Sequence, residues 1–311
     1  MNSENNNLKT IFEKYFNYDF IFVEPGGNYG DCLIYWGAEF LASEIGLTYK
    51  RMNKDEFCHY SPKKEDIVYI HGGGGYNNWC SGSVLTCLIH ALSSKASIVI
   101  QGPCTLEKDH IYISEKMVPI LERFSEKEKY FFAREKTSYD LAVKYFQPFF
   151  SEIYIEKDTA FYLTKEEVLK RVGNVKPGYH LYAFRQDNEA GHYKILTKKK
   201  GVRIDPAFFC RDFNHWLRVH AGATDIVTNR THSSIIGAIL DKNTTLFPNR
   251  YHKNKSIWEY SLKKRNVYWS DGKQLTEGPF RNDIIDFFPL FLKKSYKFKH
   301  FFRFLQGVPL K

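Results

Sequence analysis

Short apolar runs alternate with helical stretches along most of the chain, and this alternation most strongly limits its fold. F-I-F-V at 20–23, I-V-Y-I at 67–70 and S-I-V-I at 97–100 have the compact apolar character of buried strands. Further strands are predicted at 129–133 and 153–155, with helices between the strands. Strands that alternate with helices predict a mostly parallel sheet with right-handed crossovers.

A second alternation begins at Y-H-L-Y-A-F, residues 179–184, after a charged stretch at 164–177 that we interpret as a break. It continues with a polar, lysine-rich loop at 189–203 and a helix at 208–219. A strand A-T-D-I-V-T-N at 223–229 then leads into the stretch 228–240, and a strand at 244–247, a helix at 254–262 and a short strand at 267–269 follow. A chain of 311 residues exceeds the size of one typical core. The predicted fold class is therefore α/β, with two Rossmann-like domains facing a cleft, at residues 1–170 and 171–311.

The charge of the chain is concentrated in its second half. Residues 1–160 hold 17 Lys and Arg against 22 Asp and Glu, whereas residues 161–311 hold 28 against 13. The formal charges are −5 and +15. A half this basic suits an anionic ligand or an anionic membrane surface. The sequence contains no zinc finger, RNP motif or basic zipper, so nucleic acid is the least favoured partner.

The cysteines and the terminal segments predict a cytoplasmic protein. None of the six cysteines forms C-x-x-C or a Cys/His metal spacing, so we interpret them as reduced thiols and predict no metal. The first residues do not resemble a signal peptide, and no apolar run approaches the roughly 20 residues of a membrane span. Residues 287–310 alternate aromatic and basic side chains. A packed terminal helix is favoured there over a helix lying on the inner face of the cell membrane.

The stretch 228–240 predicts an anion site. It is expected to form a turn and a helix after a short strand, with Arg230 and His232 beside the helix start and Ser233 or Ser234 as its cap. Backbone N–H groups at a helix N-terminus, together with a guanidinium, favour anions. The alternative is an ordinary capped helix with a surface arginine.

Two glycine-rich segments follow predicted strands. Gly26, Gly27 and Gly30 follow the first strand, and H-G-G-G-G follows the strand at 67–70. Ligands of parallel α/β sheets bind at the carboxyl ends of strands, where glycine lets the backbone approach closely. The spacing is not G-x-G-x-x-G, so a dinucleotide is not predicted. Asp31 suits two roles equally, orienting an acceptor hydroxyl or capping the helix that follows.

Seven short motifs occur in order over most of the chain. They are G-N-Y-G-D at 27–31, H-G-G-G-G at 71–75, A-R-E-K-T-S at 133–138, D-T-A at 158–160, F-R-Q-D at 184–187, R-T-H at 230–232 and Y-H-K-N at 251–254. Together they resemble the polysaccharide pyruvyl transferase family. The family usually has Leu where this chain has Thr231. The resemblance implies a GT-B-like fold and transfer of pyruvate from phosphoenolpyruvate, as a ketal, to a sugar of a cell-surface polysaccharide or its lipid-linked precursor.

The resemblance also suggests roles for single residues. It implies that Arg185 and Arg230 bind the donor, because Arg grips carboxylates and phosphates bidentately. Lys253 is predicted to hold the donor phosphate, and His232, whose charge can change near neutral pH, to act as general acid. Asp31 is predicted to act on the acceptor hydroxyl. The predicted acceptor-binding residues are Gly27, Asn28, Gly30, Gly73 and Gly74. No cofactor is expected, since phosphoenolpyruvate is a co-substrate.

Two other functions stay open at this stage. A GT-B glycosyltransferase that uses a nucleotide sugar would share the fold, and cationic side chains also suit a pyrophosphate. A saccharide-binding protein without catalytic activity is the non-enzymatic alternative.

Overall fold

The computed structural model describes residues 6–80, 82–173, 175–190, 194–195, 201–271 and 275–276. The contacts divide the chain into two compact units. Residues up to Glu167, together with Tyr251–Arg265, form the first unit. Val168–Arg250 and the residues from Asn266 onward form the second. The segment 251–265 therefore lies in the first unit, whereas the sequence assigned it to a domain at 171–311.

The strands are named in chain order. They are β1 Asp19–Glu24, β2 Tyr49–Asn53, β3 Asp66–Ile70, β4 Gly73–Tyr76, β5 Ile98–Leu106, β6 Glu128–Ala133, β7 Glu152–Ile155, β8 Tyr179–Ala183, β9 Lys194–Ile195, β10 Val202–Ile204, β11 Ala223–Thr228, β12 Asn243–Leu246, β13 Val267–Trp269 and β14 Leu275–Thr276.

The α-helices follow the same convention. They are α1 Asn7–Lys14, α2 Tyr29–Glu44, α3 Lys54–His59, α4 Ser83–Ser93, α5 Val118–Arg123, α6 Lys136–Phe146, α7 Lys165–Val172, α8 Pro206–Phe209, α9 Phe213–Ala221, α10 Thr231–Ile239 and α11 Lys253–Ile257. A 3-10 turn covers Thr159–Tyr162, and π-helical turns cover Tyr112–Met117 and Trp258–Leu262.

The first unit is built on a parallel seven-stranded sheet in the order β2-β1-β3-β5-β6-β7, with the short β4 paired to β5. Neighbouring residues of β1 face opposite sides of the sheet. Ile21 and Val23 join the core that includes α4, and Phe20 and Phe22 join the core that includes α1 and α2. A parallel sheet needs this cover on both faces, which explains the continuous apolar runs.

The second unit contains a parallel five-stranded sheet in the order β10-β8-β11-β12-β13. A separate pair of short antiparallel strands is formed by β9 and β14. The prediction of an α/β protein with parallel sheets is confirmed.

Both parallel sheets have a point where the strand order reverses. In the first sheet it lies between β1 and β3, and in the second between β8 and β11. Ligands of open α/β sheets bind in the crevice outside the carboxyl ends of the strands at such a point. The segment 25–31 and the glycines after His71 follow β1 and β3, and Arg185 and Arg230 follow β8 and β11. The sheet order therefore gathers most predicted site residues at these two reversals.

Four local predictions differ from the structure. The stretch 164–177 is not simply a break, because Thr164 Oγ1 accepts the amide of Glu167 at 3.2 Å and starts α7. The helix expected at 208–219 is divided into α8 and α9, because Asp212 caps α9 by accepting the amide of His215 at 2.7 Å. The end of the second glycine-rich loop forms β4, and β2 and α3 were not predicted.

Two predicted segments fall largely on residues that are not described. Of the loop expected at 189–203, residues 191–193 and 196–200 lie outside the described residues, and the whole tail at 287–310 does as well. None of the helices in the described part of the chain combines the length and apolar character needed to cross a membrane.

Candidate active site

The first glycine-rich segment is folded around a reciprocal helix cap. Asn28 Oδ1 accepts the amide of Gly30 at 2.8 Å, and Asp31 Oδ2 accepts the amide of Asn28 at 2.8 Å. Gly27 has φ of +136°, and a Cβ there would lie 2.2 Å from Asp31 Oδ2. The capping role of Asp31 is thus realised, and this loop needs glycine at position 27.

The other carboxylate oxygen of Asp31 points towards the second glycine-rich segment. Its Oδ1 lies 3.4 Å from the position that a Cβ would take on Gly73. A Cβ on Gly74 would lie 3.4 Å from Nη2 of Arg134 and 3.5 Å from Nζ of Lys253. The structure therefore brings Asp31, Gly73 and Gly74 to one place, beside two cations.

Arg134 is the residue of this group for which the sequence predicted no role in the site. It follows β6 directly, is almost fully buried, and donates from Nη1 to Asp158 at 2.7 Å and from Nε to Thr105 at 2.8 Å. Burial alone would lower the pKa of Arg134, but the charge and hydrogen bond of Asp158 raise it above the ordinary value. Its position in A-R-E-K-T-S, at the end of a predicted strand, was the available signal.

Lys253 reaches Gly74 because its helix is tied to α6. Glu135 caps α6 by accepting the amides of Thr137 and Ser138, and the hydroxyl of Ser256 donates to the same carboxylate. The Nε2 atom of His252 lies 3.7 Å from Glu135. Burial alone would raise the pKa of Glu135, but the nearby His252 ring and the hydroxyls of Ser138 and Ser256 lower it.

His71 lies within the core of the first unit. Its ring contacts Phe22, Tyr35 and Tyr69, with centroids 4.6 to 5.5 Å apart. Burial lowers the pKa of His71 to about 3, so the ring is neutral near neutral pH. A neutral buried ring in an aromatic cage supports the strand end and is not placed to donate a proton.

In the second unit, three adjacent strands end in charged side chains. Asp205 follows β10, and Arg185 and Arg230 stand two residues beyond β8 and β11. The register pairs Ala183 with both Ile204 and Thr228, so the three strands end at the same level. Because the strands are parallel, the three side chains meet at the carboxyl end of the sheet.

The two arginines are bound by carboxylates of the same unit. Arg230 donates to Asp205 from Nε at 2.5 Å and from Nη2 at 2.7 Å. Arg185 binds Asp187 from Nε and Nη2 and also binds Glu189. Burial alone would raise the pKa of Asp187, but hydrogen bonds and charge from Arg185, with the charge of Arg230, lower it. Two guanidinium groups therefore face three carboxylates.

The backbone around the arginines is fixed by short polar side chains. Thr228 Oγ1 accepts the amide of Arg230 at 2.9 Å and donates to the carbonyl of Ala183 at 2.6 Å. Asn229 Oδ1 accepts the amide of Arg185 at 2.8 Å. These bonds cross between β8 and β11 and hold both arginine backbones in place.

His232 lies in the first turn of α10, two residues after Arg230, and is partly exposed. Arg230 itself is the N-cap residue, so the prediction that Ser233 or Ser234 caps this helix is wrong. Both serines already lie inside the helix. The hydroxyl of Ser234 donates to the carbonyl of Thr231 at 2.6 Å, and that of Ser233 pairs with buried His220 at 2.9 Å.

The described residues include no group of three or more His, Cys, Asp or Glu side chains that could hold a metal ion. The expectation that the reaction uses neither metal nor cofactor stays a prediction.

Arg185 and Arg230 lie at the strand-order reversal of a parallel sheet, which is where open α/β folds bind their ligands. A family model for polysaccharide pyruvyl transferase matches residues 5–251. The chain therefore belongs to the polysaccharide pyruvyl transferase family, a family of transferases, as the motifs predicted.

One solved structure shows a similar fold in another protein. The crystal structure of an uncharacterized protein from Klebsiella pneumoniae subsp. pneumoniae is similar over 87% of this chain and 99% of its own, with 23% identity and a TM-score of 0.61. Two structures of a variant of the wall teichoic acid polymerase TagF cover 84% of this chain and 80% of theirs, with 12% identity. Their TM-score of 0.30 is too low to support an argument. No curated protein matches the chain.

Proposed function

We propose that the protein transfers pyruvate from phosphoenolpyruvate to a sugar, as a cyclic ketal, and releases phosphate. The sugar belongs to a cell-surface polysaccharide or its lipid-linked precursor. The observation that carries this proposal is the pair Arg185 and Arg230 at the strand-order reversal of the second sheet, in a member of the pyruvyl transferase family. Phosphoenolpyruvate joins a carboxylate and a phosphate on a small skeleton, and two guanidinium groups can bind both.

The donor reacts once its enol carbon is protonated. In the proposal His232 gives this proton to C3, and an oxocarbenium-like centre develops at C2. One sugar hydroxyl attacks C2, the bond to phosphate breaks, and a second hydroxyl closes the ring. One hydroxyl proton restores His232, and the other leaves with phosphate, so that protons and charge balance.

The acceptor roles belong to the first unit. Asp31 is proposed to orient or deprotonate an acceptor hydroxyl, and Gly27, Asn28, Gly30, Gly73 and Gly74 to line the acceptor. The structure supports this by placing Asp31 Oδ1 beside Gly73 while its Oδ2 caps α2. Lys253 is proposed to bind the donor phosphate, and what supports this is the position of its Nζ atom beside Gly74, near Nη2 of Arg134.

The remaining sequence predictions are kept as part of the same proposal. They are the GT-B-like pairing of two Rossmann-like domains and a cytoplasmic location, with contact of residues 287–310 with the inner face of the cell membrane as the less favoured alternative for that segment.

The test uses phosphoenolpyruvate labelled with ¹³C at C2 and a panel of synthetic and lipid-linked glycans. We expect phosphate release that depends on both donor and acceptor, and the label in a ketal carbon by NMR. Thermal protection by a nucleotide sugar and not by phosphoenolpyruvate would reject the proposal in favour of a glycosyltransferase. Binding of glycans without phosphate release from any acceptor would leave only a saccharide-binding protein.

A further inference from the structure

Trp79 is a large aromatic side chain held at the surface of the first unit. It is 41% exposed and lies in a short loop that directly follows β4. Exposed apolar side chains are common and by themselves need no explanation. Trp79 is distinguished by the hydrogen bonds that hold its loop and by the ring beside it.

The loop that carries Trp79 is held by hydrogen bonds of two asparagine side chains. Asn77 is buried, its Oδ1 accepts the amides of Trp79 at 3.2 Å and Cys80 at 2.7 Å, and its Nδ2 donates to the carbonyl of Gly74 at 2.7 Å. Asn78 accepts from Lys116 at 2.8 Å and donates to Asp109. The backbone that carries the indole is therefore held by bonds that lead to the glycine-rich segment.

A second ring completes the arrangement. The rings of Trp79 and Tyr251 are 5.2 Å apart, and their planes meet at 74°, which makes an aromatic corner. Tyr251 Oη lies 3.6 Å from the position of a Cβ on Gly74, and the Nζ atom of Lys253 lies 5.0 Å from the centroid of the Tyr251 ring. The aromatic corner thus adjoins Gly74, at the carboxyl end of the first sheet.

The chemistry of a sugar ring fits such a corner. A pyranose has C–H faces that are apolar and a rim of hydroxyl groups that is polar. An indole face can cover the C–H face while the rim reaches polar groups, because Trp combines a large apolar surface with little side-chain freedom. A loop backbone that is held in place before binding lowers the entropy cost of association.

We infer that Trp79 is a stacking platform for a pyranose ring of the acceptor saccharide, and that it contributes to acceptor specificity. This inference rests on the proposed function, which makes a saccharide the acceptor. It adds to the predicted acceptor residues a side chain that binds the sugar by its face, whereas the glycines bind through backbone.

The experiment measures saccharide binding without any donor. Wild-type protein is screened on an array of pyranose oligosaccharides built from hexoses, N-acetylhexosamines and uronic acids. The strongest ligand is then titrated by calorimetry against Trp79→Leu and Trp79→Phe. Trp79→Leu keeps an apolar side chain without a ring and should bind at least about tenfold more weakly, whereas Trp79→Phe keeps a ring and should retain most of the affinity.

The matched control is Phe16→Ala. Phe16 is 45% exposed in the same unit but precedes β1, at the opposite end of the sheet from Gly74. Its variant should bind as the wild type does, and all variants should melt within a few degrees of it. Equal binding by Trp79→Leu and wild type, or a wild type that binds no saccharide on the array, would overturn the inference. Because no donor is present, failure of phosphoenolpyruvate turnover would reject the proposed function alone.

Discussion

Arg185 holds both carboxylate oxygens of Asp187, which stands only two residues further along the chain. Its Nε lies 2.7 Å from one oxygen and its Nη2 lies 2.9 Å from the other. Nη2 of Arg230 approaches the same carboxylate at 3.2 Å. Both proposed donor arginines are therefore engaged by one aspartate. An incoming carboxylate or phosphate needs the same guanidinium hydrogens, so Asp187 competes with the donor.

This competition predicts a gain of affinity. Asp187→Asn keeps the size of the side chain and removes its charge, so phosphoenolpyruvate should bind about three- to tenfold more tightly at low ionic strength. Calorimetric titration measures the change. Asp225→Asn is the control, because Asp225 is similarly exposed in the same unit and pairs with His180. Weaker donor binding in Asp187→Asn would mean that Asp187 positions Arg185 for the donor.

Removing either arginine should weaken donor binding, but only one variant is a clean test. Asp205 is fully buried, so Arg230→Ala leaves a buried carboxylate without its guanidinium and should cost stability as well. Asp187 and Glu189, the partners of Arg185, are 33% and 12% exposed, so Arg185→Ala should cost less stability than Arg230→Ala. We expect Arg185→Ala to bind phosphoenolpyruvate roughly 30- to 150-fold more weakly, the effect of a lost charge-assisted contact.

The control for this measurement is Arg171→Ala, an exposed arginine of the second unit that bonds to Asn214. It should leave donor affinity unchanged, which shows that the loss does not come from net charge. Unchanged affinity in Arg185→Ala would remove this residue from the donor site.

His232 should affect turnover more than binding. His232→Gln keeps a hydrogen-bonding group of similar size but cannot deliver the proton, so kcat should fall by about 10²- to 10⁴-fold. Donor affinity, measured on the same preparation, should change little. His215→Gln, a partly buried histidine of the same unit, is the control. Near-normal turnover of His232→Gln would exclude His232 as the general acid.

The sequence predicted where strands end but not which side chains meet there. Arg185 and Arg230 were assigned to the donor by the family resemblance, and chain order shows only that each follows a predicted strand. Their binding to Asp205 depends on the order β10-β8-β11, which is set by long-range packing. The pairing of Arg134 with Asp158 is likewise invisible, since it joins the ends of β6 and β7. The sequence placed Lys253 in the domain at 171–311, whereas its contacts place residues 251–265 in the first unit.

The buried pair of Arg134 and Asp158 should stabilise the first unit as a pair. Arg134→Met leaves the buried carboxylate of Asp158 without its cation and should cost about 3–5 kcal/mol in the free energy of unfolding. The double variant Arg134→Met with Asp158→Asn removes the charge imbalance and should recover part of that loss. Urea unfolding of the single and double variants measures the coupling. Additive losses would show that the pair contributes no coupling energy of its own.

Glu156 should make the stability of the protein depend on pH in an unusual direction. It is almost fully buried, and its oxygens accept the amides of Leu8 at 3.2 Å and Lys157 at 3.1 Å. Burial raises its pKa from 4.5 to about 7. A carboxyl whose pKa is higher in the folded state than in the unfolded state contributes to stability, and this contribution is complete at pH values below the pKa of the unfolded state. That stability is lost as the pH rises through 7.

Glu156→Gln removes this dependence, because the amide keeps an acceptor oxygen for one backbone N–H and never ionises. The difference between a pKa of about 7 in the folded state and 4.5 in the unfolded state corresponds to about 3 kcal/mol. Between pH 4 and pH 8 the free energy of unfolding of the variant should therefore rise by about that much relative to the wild type. Urea unfolding at several pH values in this range measures the difference. Glu152→Gln, an exposed residue at the start of β7, should follow the wild type throughout. Parallel stability curves for Glu156→Gln and wild type would show that Glu156 is ionised in the folded protein at low cost, with its two amide hydrogen bonds compensating for burial.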